Sequence, residues 1–359
     1  MSENRKVKKA EYDVVVIGGG MAGICAALAS ARHGARTALV HDRHVLGGNA
    51  SSEIRMHICG ASENLAKPEL EESGILHEIM LDNKSRNDYY NFSIWDMILF
   101  STVKRQENLT VYLNTAMESC EMGEDSTIRS IDAYQLTTET HWRISGKVFI
   151  DCTGNATLGY YAGAEFRTGC EGRDEFHEPD APAEANNDRM GNTLLFKAVD
   201  RGHPVKFTKP DFARTFTEEE LKYRTHSAVH GAQIKGKVDK AYVRMTSFST
   251  SSVDYGYWWI ELPGRTDDII DEYEEIRDEL VSCIYGIWDH LKNGGDHGAE
   301  NYDLEWVGML PGSREGRRLV GDYILNENDV LSNRQFEDAV AYGGWPMDIH
   351  TAKGLYDFD

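Results

Sequence analysis

The pattern with the clearest chemical meaning is a run of glycines near the start of the chain, residues 18–23 (GGGMAG), with the spacing GxGxxG. In a dinucleotide-binding turn the first glycine allows the tight turn, and the second lets backbone N–H groups approach a pyrophosphate. The third lets the next helix lie close to the sheet, and the diphosphate lies at the positive end of that helix. The run predicts a dinucleotide site with the binding residues Gly18, Gly20, Met21, Ala22 and Gly23.

Two histidines and a cluster of arginines are the candidates for proton transfer and anion binding. His57 follows a second glycine-rich stretch. His350 lies two residues after Asp348, whose carboxylate could hold the pKa of His350 near neutral and so suit it to proton transfer. Residues 312–318 (GSREGRR) hold three arginines, of which Arg314 could clamp a carboxylate or phosphate. Each histidine could equally be structural, and the arginines could equally tie two domains together through acidic partners.

The elements around the first glycine run have the order that such a site needs. The β-branched residues 12–17 predict a buried parallel strand, residues 24–33 a helix of small residues, and residues 36–40 a second strand. This strand, turn, helix and strand within about 30 residues make the GxGxxG spacing specific. The second strand should end in an acid that holds the ribose; either His41 or Asp42 occupies that place, and we favour Asp42.

The loop after the second strand separates two cofactor classes. A domain for NAD alone would continue into another helix and strand, whereas residues 46–53 (LGGNASSE) form a Gly/Ser loop of the kind that runs beneath a flavin cofactor. Here the sequence resembles the FAD-dependent oxidoreductases of the glutathione-reductase-like fold, within the domain family that includes heterodisulfide reductase A-like proteins. Four blocks carry the resemblance over nearly the whole chain: VVVIGGGMAG, LVHDRHVLGGNASSEIRMHICGA, FIDCTGNATLGYYAGAEFRTG and LPGSREGRRLVGDYIL. The later block FEDAVAYGGWPMDIH resembles a subgroup of the family.

The resemblance implies an α/β architecture: a Rossmann-like FAD/NAD(P)-binding three-layer fold with a βββ meander and an inserted α+β substrate domain. The meander is expected at residues 109–121, 127–139 and 141–150. FAD is the implied cofactor, although many relatives carry Glu where His41 stands. Its further binding residues would be His41, Asp42, Arg43, Gly47, Gly48, Asn49, Ser51, Ser52, Thr153 and Gly154.

Three segments describe the expected domain organisation. The first part of the FAD-binding domain covers 1–165, a substrate or cap domain covers 166–310, and the chain returns to the FAD-binding domain at 311–359. Relatives continue past the last block with another strand, glycine turn and helix, so we expect this FAD-binding domain to be incomplete.

The expected cap domain carries an amphipathic helix at 266–293 and strands at 242–250 and 255–262. Aromatic side chains in and beside the second strand could stack on a sugar ring, although such residues more often pack in a core. They are Tyr255, Tyr257, Trp258 and Trp259.

Composition excludes several classes of protein. The 359 residues carry a formal net charge of −21, which argues against nucleic-acid and anionic-membrane partners. The sequence shows neither an 18-residue apolar run nor a secretory signal. Six cysteines form no CxxC, so no iron–sulfur cluster or other metal site is predicted, and buried thiols in a reducing cytoplasm are the expectation.

Together these patterns predict an FAD-dependent oxidoreductase that moves a hydride between the flavin and a small hydroxylated or sugar-like substrate. Its partner would be that small molecule, and assembly into a homo-oligomer stays open. His57, His350 and Arg314 are the catalytic candidates. The alternatives are an NAD(P)-only dehydrogenase and a truncated or non-catalytic flavoprotein subunit.

Overall fold

A computed structural model describes residues 7–58, 73–89, 91–222, 257–263, 268–340, 343 and 350–357. The chain forms two compact units. The first comprises Met1–Glu53, Glu72–Arg167 and Gly316–Ile324, and the second comprises Ile54–Glu71, Thr168–Glu315 and Leu325–Asp359. The division into a flavin domain at 1–165 and 311–359 with a cap at 166–310 stays a prediction, because the two units are defined by their internal contacts and not by a bound cofactor or substrate. The unit bounds differ from it mainly at 54–71 and 325–359, which belong to the second unit.

The first unit is built on a six-stranded sheet with the order β3-β2-β1-β6-β5-β4. Its strands are β1 (Lys8–Ile17), β2 (Thr37–Val40), β3 (Leu109–Tyr112), β4 (Thr115–Met122), β5 (Ile128–Gln135) and β6 (Thr140–Asp151). β3, β2, β1 and β6 are parallel, whereas β5 and β4 continue the sheet antiparallel as the meander. The β-branched residues Val15 and Val16 and the facing Leu39 are fully buried, as is typical of parallel strands that are covered on both faces. The predicted Rossmann-like α/β fold is confirmed.

The segment 109–121, which was predicted as one strand, forms two separate strands in the structure. Residues 109–121 were expected to run as a single strand, yet β3 ends at Tyr112 beside β2, and β4 begins at Thr115 on the opposite edge of the sheet. Asn114 makes the break with φ 51°, a left-handed conformation that asparagine tolerates. Hydrogen bonds from Asn114 N to Arg43 O (3.0 Å) and from Thr115 N to His41 O (2.8 Å) carry the chain across the end of β2.

Three helices of the first unit are α1 (Met21–Arg32), α2 (Gly74–Arg86) and α3 (Phe92–Lys104). The short elements α4 (Thr157–Tyr161) and β7 (Phe166–Arg167) follow β6. Trp95 anchors α3 to the loop after β2, because its buried indole N–H donates to Ala50 O at 2.8 Å. The second glycine-rich loop is therefore attached to a rigid helix.

The second unit carries a separate antiparallel sheet of order β10-β8-β9, made of β8 (Thr193–Asp200), β9 (Tyr257–Glu261) and β10 (Tyr302–Val307). Its helices are α5 (Arg173–Phe176), α6 (Glu218–Leu221), α7 (Tyr273–Asn293) and α8 (Glu327–Leu331), while β11 (Arg318–Leu319) belongs to the first unit. The apolar stripe of α7, with Leu280, Ile284 and Trp288, packs in one core with Phe196 of β8.

Helix α7 begins later than the predicted residue 266. The Asp268 side chain accepts hydrogen bonds from Ile270 N (2.8 Å) and Asp271 N (3.2 Å), which makes a turn before the helix. Residues 266 and 267, the predicted strand at 242–250, Tyr255 and the side chains of Tyr257, Trp258 and Trp259 lie outside the described residues. Among the helices that the structure describes, none has both the length and the apolar character needed to cross a bilayer.

Candidate functional site

The first glycine turn is held so closely that two of its positions exclude a side chain. Gly18 follows β1 with φ 102°, and its N–H donates to Val40 O at 2.8 Å. A Cβ on Gly18 would lie 2.1 Å from the carbonyl oxygen of Cys152, and a Cβ on Gly23 would lie 1.8 Å from the carbonyl oxygen of Gly18. The predicted roles of these glycines, a tight turn and a close helix, are therefore what the backbone shows.

The second glycine turn lies directly on the first. Gly47 and Gly48 have φ of 113° and 58°, and Gly47 N donates to Gly19 O at 2.8 Å. A Cβ on Gly48 would be 3.1 Å from the Cα of Gly20, whereas a Cβ on Gly20 would meet nothing nearer than the Gly48 Cα at 4.0 Å. The chain thus forms a cradle of bare backbone beside Gly20.

The cradle opens at the N-terminus of α1. The first intrahelical bond runs from Ile24 N to Gly20 O at 2.9 Å, so the N–H groups of Met21, Ala22 and Gly23 precede the helical ladder. These groups and the positive end of the helix suit an anionic diphosphate. Bare backbone and free N–H donors are what FAD needs at its pyrophosphate, and the residues present fit the group.

His41 is committed to the turn itself. Its Nδ1 accepts from Gly19 N at 2.9 Å, and its Nε2 therefore donates to Val45 O at 3.0 Å. The imidazole is neutral in this arrangement, and burial lowers its pKa. Because Nδ1 carries no proton, it gives no ion pair with the Asp42 carboxylate 3.3 Å away.

Asp42 is the better of the two predicted ribose residues. Its side chain is 65% exposed, against 6% for His41. Of the two alternatives, it has the acidic group that still reaches solvent at the end of β2. The assignment of either residue to a ribose stays a prediction.

The rest of the second loop is fastened within the protein. The Arg43 guanidinium forms two hydrogen bonds with the Glu53 carboxylate, at 3.1 and 2.6 Å. Ser51 is buried and its hydroxyl accepts from Glu53 N at 3.3 Å, while Ser52 N donates to the Asp96 carboxylate of α3 at 3.2 Å. Asn49 lies in a 3₁₀ turn at Gly48–Ala50. Arg43 and Ser51 thus hold the loop in shape, and their predicted contact with a cofactor is not tested.

The third block turns sharply after β6. The Asp151 carboxylate accepts from Thr153 N (3.0 Å), Thr153 Oγ1 (2.7 Å) and Gly159 N (3.0 Å), and Thr153 Oγ1 accepts from Thr157 N at 2.7 Å. The Thr153 hydroxyl is therefore used in the turn. Gly154 is exposed with φ 84°, and its backbone is open to a ligand.

Residues 316–324 return the chain to this turn within the first unit. The Arg317 guanidinium lies 3.9 Å above the ring of Tyr160 and donates to Asn155 O at 3.2 Å. A Cβ on Gly316 would lie 2.3 Å from the amide oxygen of Asn155, and β11 pairs with β7. Arg317 is thus a packing residue of the first unit.

In the second unit, two predicted catalytic residues, His350 and Arg314, contact the same glutamate, Glu261. His350 Nδ1 and Arg314 Nη1 lie 2.7 and 3.1 Å from the same oxygen, Oε2 of Glu261. The Glu261 side chain is 10% exposed, and its other oxygen accepts from Gly191 N at 3.0 Å. Because the carboxylate only accepts, Nδ1 of His350 carries a proton, and Nε2 is the nitrogen at which the neutral imidazole is basic. Arg314 Nη1 also lies 3.4 Å from His350 Nδ1. Because both nitrogens are donors, this contact is not a hydrogen bond.

Sequence reasoning did not identify Glu261 as a residue of this site. Glu261 is the last residue of the aromatic strand β9 and lies 89 positions before His350 in the chain, so no local pattern connects the two. The predicted partner of His350, Asp348, lies outside the described residues. His57 belongs to the segment 54–58 of the second unit, where burial lowers its pKa. Of the three predicted catalytic residues, His350 and Arg314 therefore share a partner, the Glu261 carboxylate.

The family model that matches the chain describes FAD-dependent oxidoreductases and covers residues 13–358. Among curated proteins none matches.

Solved structures share only part of the chain. A geranylgeranyl bacteriochlorophyll reductase-like protein from Thermoplasma acidophilum is 14% identical, with 57% of this chain and 52% of that chain covered and a TM-score of 0.33. The myxobacterial chondrochloren halogenase CndH, an FAD-dependent halogenase variant, is 14% identical with 55% and 46% covered and a TM-score of 0.35. A flavoprotein/dehydrogenase from Cytophaga hutchinsonii is 14% identical with 54% and 47% covered and a TM-score of 0.35. The match spans about half the length of each of these proteins.

Proposed function

The chain belongs to the family of FAD-dependent oxidoreductases, and on that premise we propose that it oxidises or reduces a small hydroxylated substrate by hydride transfer. The observation that carries the proposal is the meeting of two bare glycine turns, at Gly20 and at residues 47–48, in front of the α1 N-terminus. Side-chain-free backbone at that place is required by a diphosphate and by little else.

The residues that would hold FAD are those of the first unit described above. The N–H groups of Met21, Ala22 and Gly23 would bind the diphosphate, and Asp42 would bind the ribose hydroxyls. When bound, FAD supplies the hydride acceptor or donor. The protein's own tasks are to bind and orient the substrate and to move one proton.

We assign the proton to His350, in the second unit. The Glu261 carboxylate holds the imidazole with Nε2 as the basic nitrogen, the arrangement that a general base needs. Arg314 donates to the same carboxylate and is a positioning residue for the pair. His57 is the alternative base, since its burial lowers its pKa and keeps it neutral.

Two measurements test the proposal in turn. The purified protein, reconstituted with FAD, should show flavin absorption bands, and their absence would rule out a flavoprotein. Anaerobic bleaching of those bands by sugars, polyols or hydroxy acids should then identify the substrate class. A bound flavin that none of them reduces would favour the non-catalytic subunit.

The base is tested with His350→Asn, whose amide can still donate to Glu261 but offers no basic nitrogen. We expect flavin reduction by the substrate to slow by about 10²–10⁴-fold with unchanged FAD affinity. His57→Asn is the matched variant. If it slows reduction and His350→Asn does not, the base is His57.

A further inference from the structure

Two histidines and a glutamate of the second unit converge on one point. Glu218 begins α6, His290 lies in the last turn of α7, and His297 lies in the loop that follows. Oε2 of Glu218 is 3.1 Å from Nε2 of His290 and 3.7 Å from Nε2 of His297. The three ligand atoms all lie within 4.8 Å of one another. We propose that these side chains bind one divalent transition-metal ion, and that Zn²⁺ fits them best.

The hydrogen bonds of His290 call for a cation at this point. Its Nδ1 is 3.1 Å from the carbonyl oxygen of Phe216, which only accepts, so Nδ1 carries the proton. In the neutral imidazole, Nε2 would face the Glu218 carboxylate with a lone pair, and because the carboxylate also only accepts, a proton or a metal ion must lie between the two atoms. A backbone carbonyl that fixes the tautomer in this way is the usual outer partner of a metal-bound histidine.

A proton would serve this cluster less well than a metal ion. His297 faces the same carboxylate oxygen, and the two imidazole rings are 4.7 Å apart between centroids. Two imidazolium ions at that distance would repel each other, and Glu218 balances only one of them. A single divalent ion satisfies all three lone pairs at once.

The distances also suit the ion. Zn²⁺ bonds to imidazole nitrogen and carboxylate oxygen at about 2.0–2.2 Å, which places tetrahedral ligand atoms roughly 3.3 Å apart. Two imidazoles exclude Ca²⁺ and Mg²⁺, which take oxygen ligands. The Glu218 side chain is 67% exposed, so water can complete the coordination.

The protein holds the three ligands in place from both sides. Gly286 of α7 lets the segment before α6 lie on the helix, because a Cβ there would be 2.2 Å from Arg214 O. The loop that carries His297 is closed by Lys292, whose ammonium donates to the carbonyls of Ala299 (2.6 Å), Glu300 (2.9 Å) and Tyr302 (2.8 Å). A bound ion would therefore fasten α6 and this loop to the end of α7, a role independent of FAD.

The test uses the full, tag-free chain stripped of metal and titrated with Co²⁺ and then Zn²⁺. We expect d–d absorption without thiolate charge transfer, saturation at about one Co²⁺ per chain, and displacement by Zn²⁺. Zinc at about 100 times its Kd should raise the Tm by about 5 °C, and EDTA should reverse the rise.

Matched variants locate the site. Glu218→Gln and His297→Gln should each weaken Zn²⁺ binding by about 100-fold or more, since each removes a ligand. Glu219→Gln makes the same charge change one residue away, at a side chain paired with Lys222, and should leave the affinity unchanged. Failure of Co²⁺ to saturate near one equivalent would overturn the proposal. Equal affinity in wild type, Glu218→Gln and His297→Gln would also overturn it and would mean adventitious binding elsewhere.

Discussion

Replacing Gly20 with valine should weaken FAD binding by about three orders of magnitude and leave the fold intact. The backbone of Gly20 has φ −68° and ψ 179°, an extended conformation that any residue adopts. A Cβ at this position would meet no atom closer than the Gly48 Cα at 4.0 Å. The Cβ of valine therefore overlaps no protein atom, and its methyl groups would occupy the cradle that we assign to the diphosphate.

The size of the effect follows from the bonds that would be lost. Hydrogen bonds to a charged partner contribute about 1.5–3 kcal/mol each. Loss of the phosphate bonds from the first-turn N–H groups of α1, taken at the lower value, removes about 4–5 kcal/mol. At about 1.4 kcal/mol per tenfold change, the Kd for FAD should rise roughly 1,000-fold.

Quenching of FAD fluorescence on titration with apoprotein measures the Kd, and thermal unfolding of the same apoprotein measures stability. Gly34→Ala is the control. Gly34 has φ +91°, which is unfavourable for alanine, and a Cβ there would meet no atom within 4 Å. Alanine at this position therefore strains the backbone at a place distant from the cradle. This variant should lower the Tm and keep the Kd. Wild-type affinity in Gly20→Val would refute the placement of the diphosphate, and a collapsed Tm would refute the reasoning about space.

Three further outcomes are expected. Gly23→Ala should destabilise the protein by about 3 kcal/mol in urea unfolding, because its Cβ would lie 1.8 Å from Gly18 O; an unchanged midpoint would contradict the packing of α1. Arg317→Lys should cost about 1 kcal/mol, because lysine loses the planar stacking on Tyr160; equal Tm values would contradict it. Burial raises the pKa of Cys283 from its ordinary value of 9.0 to about 11, so its contribution to stability is present below pH 9 and is lost as the pH rises towards 11. Urea unfolding at pH 8 and 10.5 should show a smaller loss in Cys283→Ala than in wild type, and equal losses would contradict this.

The features that sequence reasoning found are those set by local backbone requirements. The glycine positions at 18, 20, 23, 47 and 48 each reflect a positive φ, a close approach or an open space, and such requirements leave a mark in the residue type itself. The buried β-branched strands before and after the turn leave a periodic signal for the same reason. The family resemblance rests on these same segments and is confirmed.

The features that it missed depend on residues brought together by the fold. The break at Asn114 is hidden because the strand pattern continues through it, and only the pairing of β3 and β4 with different neighbours reveals it. Glu261 contributes a carboxylate to His350 across 89 positions, and Glu218 meets His290 across 72. No spacing rule covers separations of that size, because they depend on tertiary packing.

The two hydrogen bonds of His41 bear on how the proposed flavin-bound form of the protein would be assembled. The His41 ring links Gly19 N–H of the first glycine turn to Val45 C=O, two residues before Gly47, and the bond from Gly47 N to Gly19 O joins the two turns directly. The turns hold their shape by bonds that the polypeptide makes alone, so the entropy of ordering them is lost during folding and not when the cofactor arrives. Synthesis and flavin loading can therefore be separate events, with a folded apoprotein present between them.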